Sequence, residues 1–176
     1  MSDKRLGKLI AQGRTADIHA WQDDQTVVKL YQDWFKVEWI RYELYRAQQV
    51  QELDFPIPKV GEIVEVNGRH GLTYLRINGK NMLAALRQDP SLISTFAPLL
   101  ADLHHRLHSL TSQPVIRSQH RKLATNIRNA SPLSDTLKAA LLDKLEQLPI
   151  GNSVCHGDFH PGNIMITDTG KAIVVD

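Results

Sequence analysis

The apolar residues of this sequence change period along the chain, and that change constrains the fold more than any single residue does. Leu6 to Gln12, Ile18 to Gln22 and Thr26 to Tyr31 alternate in steps of two, separated by Gly13-Arg14-Thr15 and Asp23-Asp24. Alternation of that kind belongs to strands with one face against a core. From Trp34 to Val50 the positions Val37, Ile40, Leu44 and Ala47 instead recur three and four apart. This is the stripe of an amphipathic helix, and it ends before Phe55-Pro56-Ile57-Pro58. Two further strands, Gly61 to Val66 and Arg69 to Ile77, flank Asn67-Gly68. Asn-Gly between apolar runs predicts a tight hairpin, because both turn positions need positive φ. Residues 1–77 therefore read β-β-β-α-β-β, a five-stranded antiparallel sheet with one helix.

Beyond Asn78-Gly79 the aromatic residues nearly vanish, with only Phe96 and Phe159 following Tyr74. The composition shift and the glycine turn coincide, so a lobe boundary is expected between residues 77 and 78. Residues 78–176 form the second lobe. Met82 to Leu148 reads as helical, with Leu99, Leu100, Leu103, Leu107 and Leu110 as a buried stripe. Ser131-Pro132 precedes another helix from about Asp135, and Ser112 to Ala130 reads as a polar connection. Val154 to His156 reads as a short strand. Ile164 to Thr167 and Ala172 to Val175 form a small hairpin about Asp168-Thr169-Gly170. The fold class is α+β.

Composition narrows the function classes. A length of 176 residues holds about one domain, or one domain with a small lobe attached. The net charge of +2 is too weak a field to imply nucleic acid or an anionic membrane as partner. Between Leu103 and Arg128 lie five Lys/Arg, four His and no acid, which read as a solvated face and a connection. A single cysteine, Cys155, excludes an internal disulfide and fits a reducing compartment. It is expected in the core of the Ser153-Val154-Cys155 strand. No apolar run approaches the roughly 18 residues needed to span a bilayer, so a cytoplasmic protein is expected.

Chemistry concentrates in His156-Gly157-Asp158-Phe159-His160-Pro161-Gly162-Asn163, followed after the small hairpin by Asp176. A loop carrying Asp158 and, five residues on, Asn163 sets a proton acceptor beside an acceptor hydroxyl while the amide oxygen binds a cation. A hairpin that returns Asp176 to the same end supplies a second oxygen ligand. Mg²⁺ prefers such hard donors and keeps several waters, so one carboxylate, one amide oxygen and substrate phosphates suffice.

This run resembles the catalytic loop and metal-binding aspartate of the protein-kinase-like fold, in the version used by aminoglycoside phosphotransferases and other small-molecule kinases. Protein kinases usually carry Arg where Gly157 stands and, in the serine/threonine branch, Lys where His160 stands. The resemblance implies a two-lobed fold that binds ATP and Mg²⁺. It makes Asp158 the catalytic base, and Asn163 and Asp176 the magnesium ligands. Lys29, in Val27-Val28-Lys29-Leu30, matches the lysine that contacts the α and β phosphates, and Glu43 matches the helical acid that pairs with it. Glu43 is a better partner than Glu38, since it shares a helix edge with Ile40 and Ala47. Leu75 to Gly79 is similar to the hinge whose backbone binds adenine, with Leu75 and Ile77 as the contacts. In Gln12-Gly13-Arg14-Thr15-Ala16-Asp17 a single glycine stands where protein kinases have three. Backbone N–H groups there, with Gly13 and the Thr15 hydroxyl, would meet the phosphates. No G-x-x-x-x-G-K-[ST] run occurs, which excludes a P-loop site.

The reaction implied is transfer of the γ-phosphoryl group of ATP to a hydroxyl of a small molecule. Relatives carry further helices after the metal-binding aspartate, so the chain is expected to be C-terminally truncated, with self-association through the apolar surface those helices would cover. The alternative is a truncated or noncatalytic module that binds nucleotide without turnover.

Overall fold

A computed structural model of the chain describes residues 6–111 and 118–175. Strands β1 (Leu6–Gln12), β2 (Ala16–Trp21), β3 (Asp23–Tyr31), β4 (Val60–Val66) and β5 (Arg69–Leu75) form one antiparallel sheet in the order β1-β2-β3-β5-β4. Asn67 and Gly68 both have positive φ, 51° and 80°, which gives the hairpin the turn its sequence requires. The central strand β3 places Lys29 opposite Ile18 of β2 and Leu72 of β5. Alternation then assigns the faces. Ala16, Tyr31 and Leu72 pack on one side with Val60 and the helical residue Ile40, while Trp21, Val28 and Val64 form a smaller cluster on the other.

Helix α1 (Val37–Glu52) buries Ile40 and packs Leu44 and Ala47 against the first cluster. It starts three residues after the expected Trp34, because Phe35 turns back and stacks on Tyr31 at 4.6 Å between ring centroids. At the far corner of the sheet Arg69 donates from Nε to the Tyr31 carbonyl at 2.8 Å and from Nη2 to Asp17 Oδ2 at 3.2 Å. Asp17 is buried, and its Oδ1 has no hydrogen-bond partner among the described residues.

A second sheet, which the sequence did not announce in full, has the order β6-β7-β8: β6 (Gly79–Asn81), β7 (Ile164–Thr167) and β8 (Ala172–Val174). Three residues are too few for alternation to identify β6, and its partner lies far along the chain. Gly79 makes the pairing possible, since a Cβ there would run into the Ile166 carbonyl. β5 ends at Leu75, so the expected continuation to Ile77 is corrected. Arg76 N–H donates instead to the Gln25 carbonyl at 2.8 Å.

The expected helical stretch from Met82 breaks into α2 (Met82–Gln88), α3 (Ile93–Ser109), α4 (Gln119–Asn129) and α5 (Asp135–Glu146). Of the leucine stripe only Leu103 and Leu107 are fully buried. Helix α4 forms within the stretch expected to be a polar connection, with Ala124 as its buried residue. Among the described residues no helix is long and apolar enough to cross a membrane.

The chain packs into two compact units, Met1–His105 with His156–Asp176, and Arg106–Cys155. In the second, α4 packs on α5 and His120 Nε2 lies 3.2 Å from the Leu145 carbonyl. Leu137, Leu141, Leu148 and Ile150 are exposed. The expected strand at Val154 reduces to an isolated Thr111–Ser153 bridge, with Val154 N–H donating to the Leu110 carbonyl at 3.0 Å. Cys155 is exposed rather than in the core, because no strand forms there to turn it inward.

Candidate active site

The first cluster of chemistry grows from sheet register. Lys29 is on the α1 face of β3, and Ile40, buried on α1, puts Glu43 one turn further along the same helix edge. Lys29 Nζ meets Glu43 Oε1 at 3.0 Å, with side chains 13% and 21% exposed. Glu38, the alternative partner on the helix, is exposed. The phenol of Tyr74 also donates to Glu43 Oε1 at 3.0 Å. Alternation could have found Tyr74, two residues beyond Leu72 and so on the Lys29 face, although nothing in the motif pointed to it.

Between β1 and β2 the chain makes a tight turn in which Gly13 N–H donates to the Ala16 carbonyl at 3.0 Å. That donor is therefore committed to the turn. The Thr15 carbonyl accepts from Gln32 N–H at 2.9 Å, and its side chain is half-buried. At the expected hinge Leu75 N–H is likewise engaged, by the Lys59 carbonyl at 2.8 Å. Ile77 follows in irregular backbone.

The second cluster is the loop 156–163, and its bonds are mostly local. Gly157 takes φ of +89°, a conformation that a side chain would strain, and this turns Asp158 outward. Asp158 N–H donates to His156 Nδ1 at 3.3 Å, while the Asp158 carbonyl accepts from Asn163 Nδ2 at 3.0 Å. His160 Nδ1 accepts from Gly162 N–H at 3.0 Å, which directs Nε2 toward Asp158 Oδ2, 3.7 Å away. Phe159 stacks on His104 with ring centroids 4.7 Å apart and meets His156 edge-on. The Asp158 carboxylate is left 79% exposed.

A long-range bond from Asn81 also holds this loop. Asn81 Nδ2 donates to the Gly162 carbonyl at 2.6 Å, while its Oδ1 caps α2 by accepting from Ala84 N–H at 3.1 Å. Sequence reasoning missed Asn81, and the one signal that could have found it is its place as a polar residue just before an apolar helical run, a capping position. Its contact with the loop, 81 residues away, carries no local signal.

Asn163 anchors its Nδ2 on the loop and so presents Oδ1 as an oxygen donor. Val175 N–H donates to the Asn163 carbonyl at 2.8 Å, which brings the end of β8 beside Asn163. Asp176 lies outside the described residues. Among the described residues no group of three His, Cys, Asp or Glu side chains assembles. A cation here would depend on amide, carboxylate and phosphate oxygens, a donor set that fits Mg²⁺ better than a thiol- or imidazole-seeking metal.

Solved structures share this architecture. Aminoglycoside-3'-phosphotransferase of type VIII superposes with a TM-score of 0.66 at 20% identity, over 100% of this chain and 72% of that one. A thermostable mutant of aminoglycoside phosphotransferase APH(4)-Ia gives 0.62 at 17% identity, over 97% of this chain and 66% of that one. An aminoglycoside phosphotransferase from Streptomyces rimosus, in complex with ADP and streptomycin, gives 0.60 at 19% identity, over 91% and 67%. These likenesses establish the protein-kinase-like fold. No curated protein matches the chain. A sequence model of the phosphotransferase enzyme family matches residues 8–176, and with a match of that length the chain belongs to the phosphotransferase enzyme family.

Proposed function

We propose that the protein transfers the γ-phosphoryl group of ATP to a hydroxyl of a small molecule. The observation that carries this reading is the Lys29–Glu43 ion pair at 3.0 Å, built from a strand and a helix in the same compact unit as the Asp158 loop. Lys29 contacts the α and β phosphates, and Glu43 keeps its ammonium extended toward them. The turn Gly13–Thr15 covers the phosphates, Gly13 by permitting close approach and Thr15 through its hydroxyl. The Leu75 carbonyl and Ile77 N–H meet the adenine edge.

Asp158 orients the acceptor hydroxyl and takes its proton as the new O–P bond forms and the bond to ADP breaks. Its exposure suits this task, since an acceptor can reach the carboxylate without displacing packed side chains. Asn163 and Asp176 would hold Mg²⁺, which neutralises charge on the phosphates. The protein otherwise contributes position and electrostatics, with no covalent step of its own. Neighbours crystallised with ADP and streptomycin, or with AMP-PNP and hygromycin B, support a nucleotide and a small-molecule acceptor.

Measuring ADP release from Mg·ATP across aminoglycosides, choline, homoserine and sugars tests the reading. Acceptor-dependent release is expected. Binding of Mg·AMP-PNP with no release for any acceptor would favour the noncatalytic alternative, and absence of binding would overturn both.

A further inference from the structure

Tyr74 supplies a feature that the Lys29–Glu43 pair does not need in order to exist. Its ring packs beside the cluster of Ala16, Tyr31, Ile40, Val60 and Leu72, and its backbone stands in register between Val27 of β3 and Val60 of β4. The hydroxyl donates to Glu43 Oε1 at 3.0 Å, the same oxygen that accepts from Lys29 Nζ at 3.0 Å. Strands β3 and β5 and helix α1 thus converge on one carboxylate oxygen.

Apolar contacts through Ile40, Leu44 and Ala47 set how far α1 stands from the sheet, but they do not fix the direction of a flexible glutamate. A single ion-pair contact holds the Lys29 ammonium against one carboxylate oxygen but does not by itself fix the rotamers of two long side chains. A phenol on a strand has fewer rotatable bonds, and its O–H gives the carboxylate a second, directional donor. It adds no charge that would compete with Lys29 for phosphate. When a triphosphate draws the ammonium toward itself, a Glu43 held by a second donor keeps its place and limits how far Lys29 swings.

We infer that Tyr74 is a positioning residue for nucleotide: its hydroxyl fixes the Glu43 carboxylate and, through it, the Lys29 ammonium. This rests on the reading of Lys29 as the phosphate-binding lysine. It predicts that Tyr74→Phe, which keeps the ring, weakens Mg·AMP-PNP binding about five- to tenfold by calorimetry while the melting temperature stays within about 3 °C. In a Glu43→Gln background the same change should cost less than about twofold, since the charged acceptor is gone. Wild-type affinity in Tyr74→Phe, or an equal loss in both backgrounds, would overturn the inference. Tyr74→Met repeats the comparison should the phenylalanine variant not fold. Lys29→Ala separates the two levels: undiminished binding there sinks the phosphate-lysine reading, whereas lost binding with an unaffected Tyr74→Phe sinks only the role of Tyr74.

Discussion

Lys29 and Glu43 are 13% and 21% exposed and meet across a strand and a helix, whereas Asp158 is 79% exposed on a loop whose internal bonds span two to five residues. The difference suits the chemistry proposed for each. A cation that holds phosphates gains from partial desolvation, which strengthens its field, and the cost is met by a permanent counter-charge. A base that must reach varied hydroxyls gains from access, and local backbone bonds suffice to aim it. The sheet corner therefore ties its chemistry to the core, while the loop keeps its chemistry nearly independent of it.

Asp158→Ala tests that independence most directly and should have the largest effect. Turnover should fall by about 10³-fold or more, since both the proton acceptor and the hydroxyl's orienting group are lost. Mg·AMP-PNP affinity and the melting temperature should hardly change, because the carboxylate is exposed and buries no apolar surface. A large drop in melting temperature would mean that the loop carries structural load, and the contrast with the sheet would dissolve.

The same contrast explains what was legible. Strands β1 to β5 and helix α1 each run long enough for a period to declare itself, and Ile40 on the apolar stripe pointed to Glu43 over Glu38. Asp158 and Asn163 stood out because they lie in one contiguous run, and that run is a loop held by local bonds and a glycine at positive φ. Strand β6 was not, for three residues show no period and its pairing with β7 depends on distant backbone. Helix α4 was hidden by its polar composition, with only Leu123, Ala124 and Ile127 to mark a stripe. Cys155 was expected in the core because three residues, Ser153-Val154-Cys155, cannot distinguish a strand from an extended crossing. The bonds of Tyr74 and Asn81 depend on which elements become neighbours, and spacing along the chain does not record that.

Arg69→Met probes the sheet side, with the next largest effect. The guanidinium bonds the Tyr31 and Leu30 carbonyls and Asp17, whose side chain is only 11% exposed. Removing it leaves a buried carboxylate with only a long bond from Gln32 Nε2, 3.4 Å from Oδ2, and its other oxygen already has no hydrogen-bond partner among the described residues. Breaking such a pair from one side should cost about 3 kcal/mol, a fall of roughly 10 °C in melting temperature. Asp17→Asn in the same chain should recover part of that loss. A melting temperature unchanged by Arg69→Met would show that this corner is as loosely held as the exposed loop.

Asn81 joins the two regimes, and its variants give the smallest and most discriminating effect. Its side chain caps α2 through Oδ1 and holds the loop through Nδ2, so Asn81→Ala loses both and should destabilise by about 1 to 2 kcal/mol. Asn81→Asp keeps an oxygen for the Ala84 N–H but replaces the donor to the Gly162 carbonyl with a carboxylate oxygen that the carbonyl repels. Near wild-type melting with turnover reduced about five- to tenfold would then report the loop's long-range bond alone, because a small displacement of the loop misaligns Asp158 without unfolding anything. If Asn81→Asp turns over like the wild type, the local bonds from His156, His160 and Asn163 aim the base unaided. The link through Asn81 then serves to start a helix, and the loop is held by its local bonds together with the Val175 N–H bond to the Asn163 carbonyl.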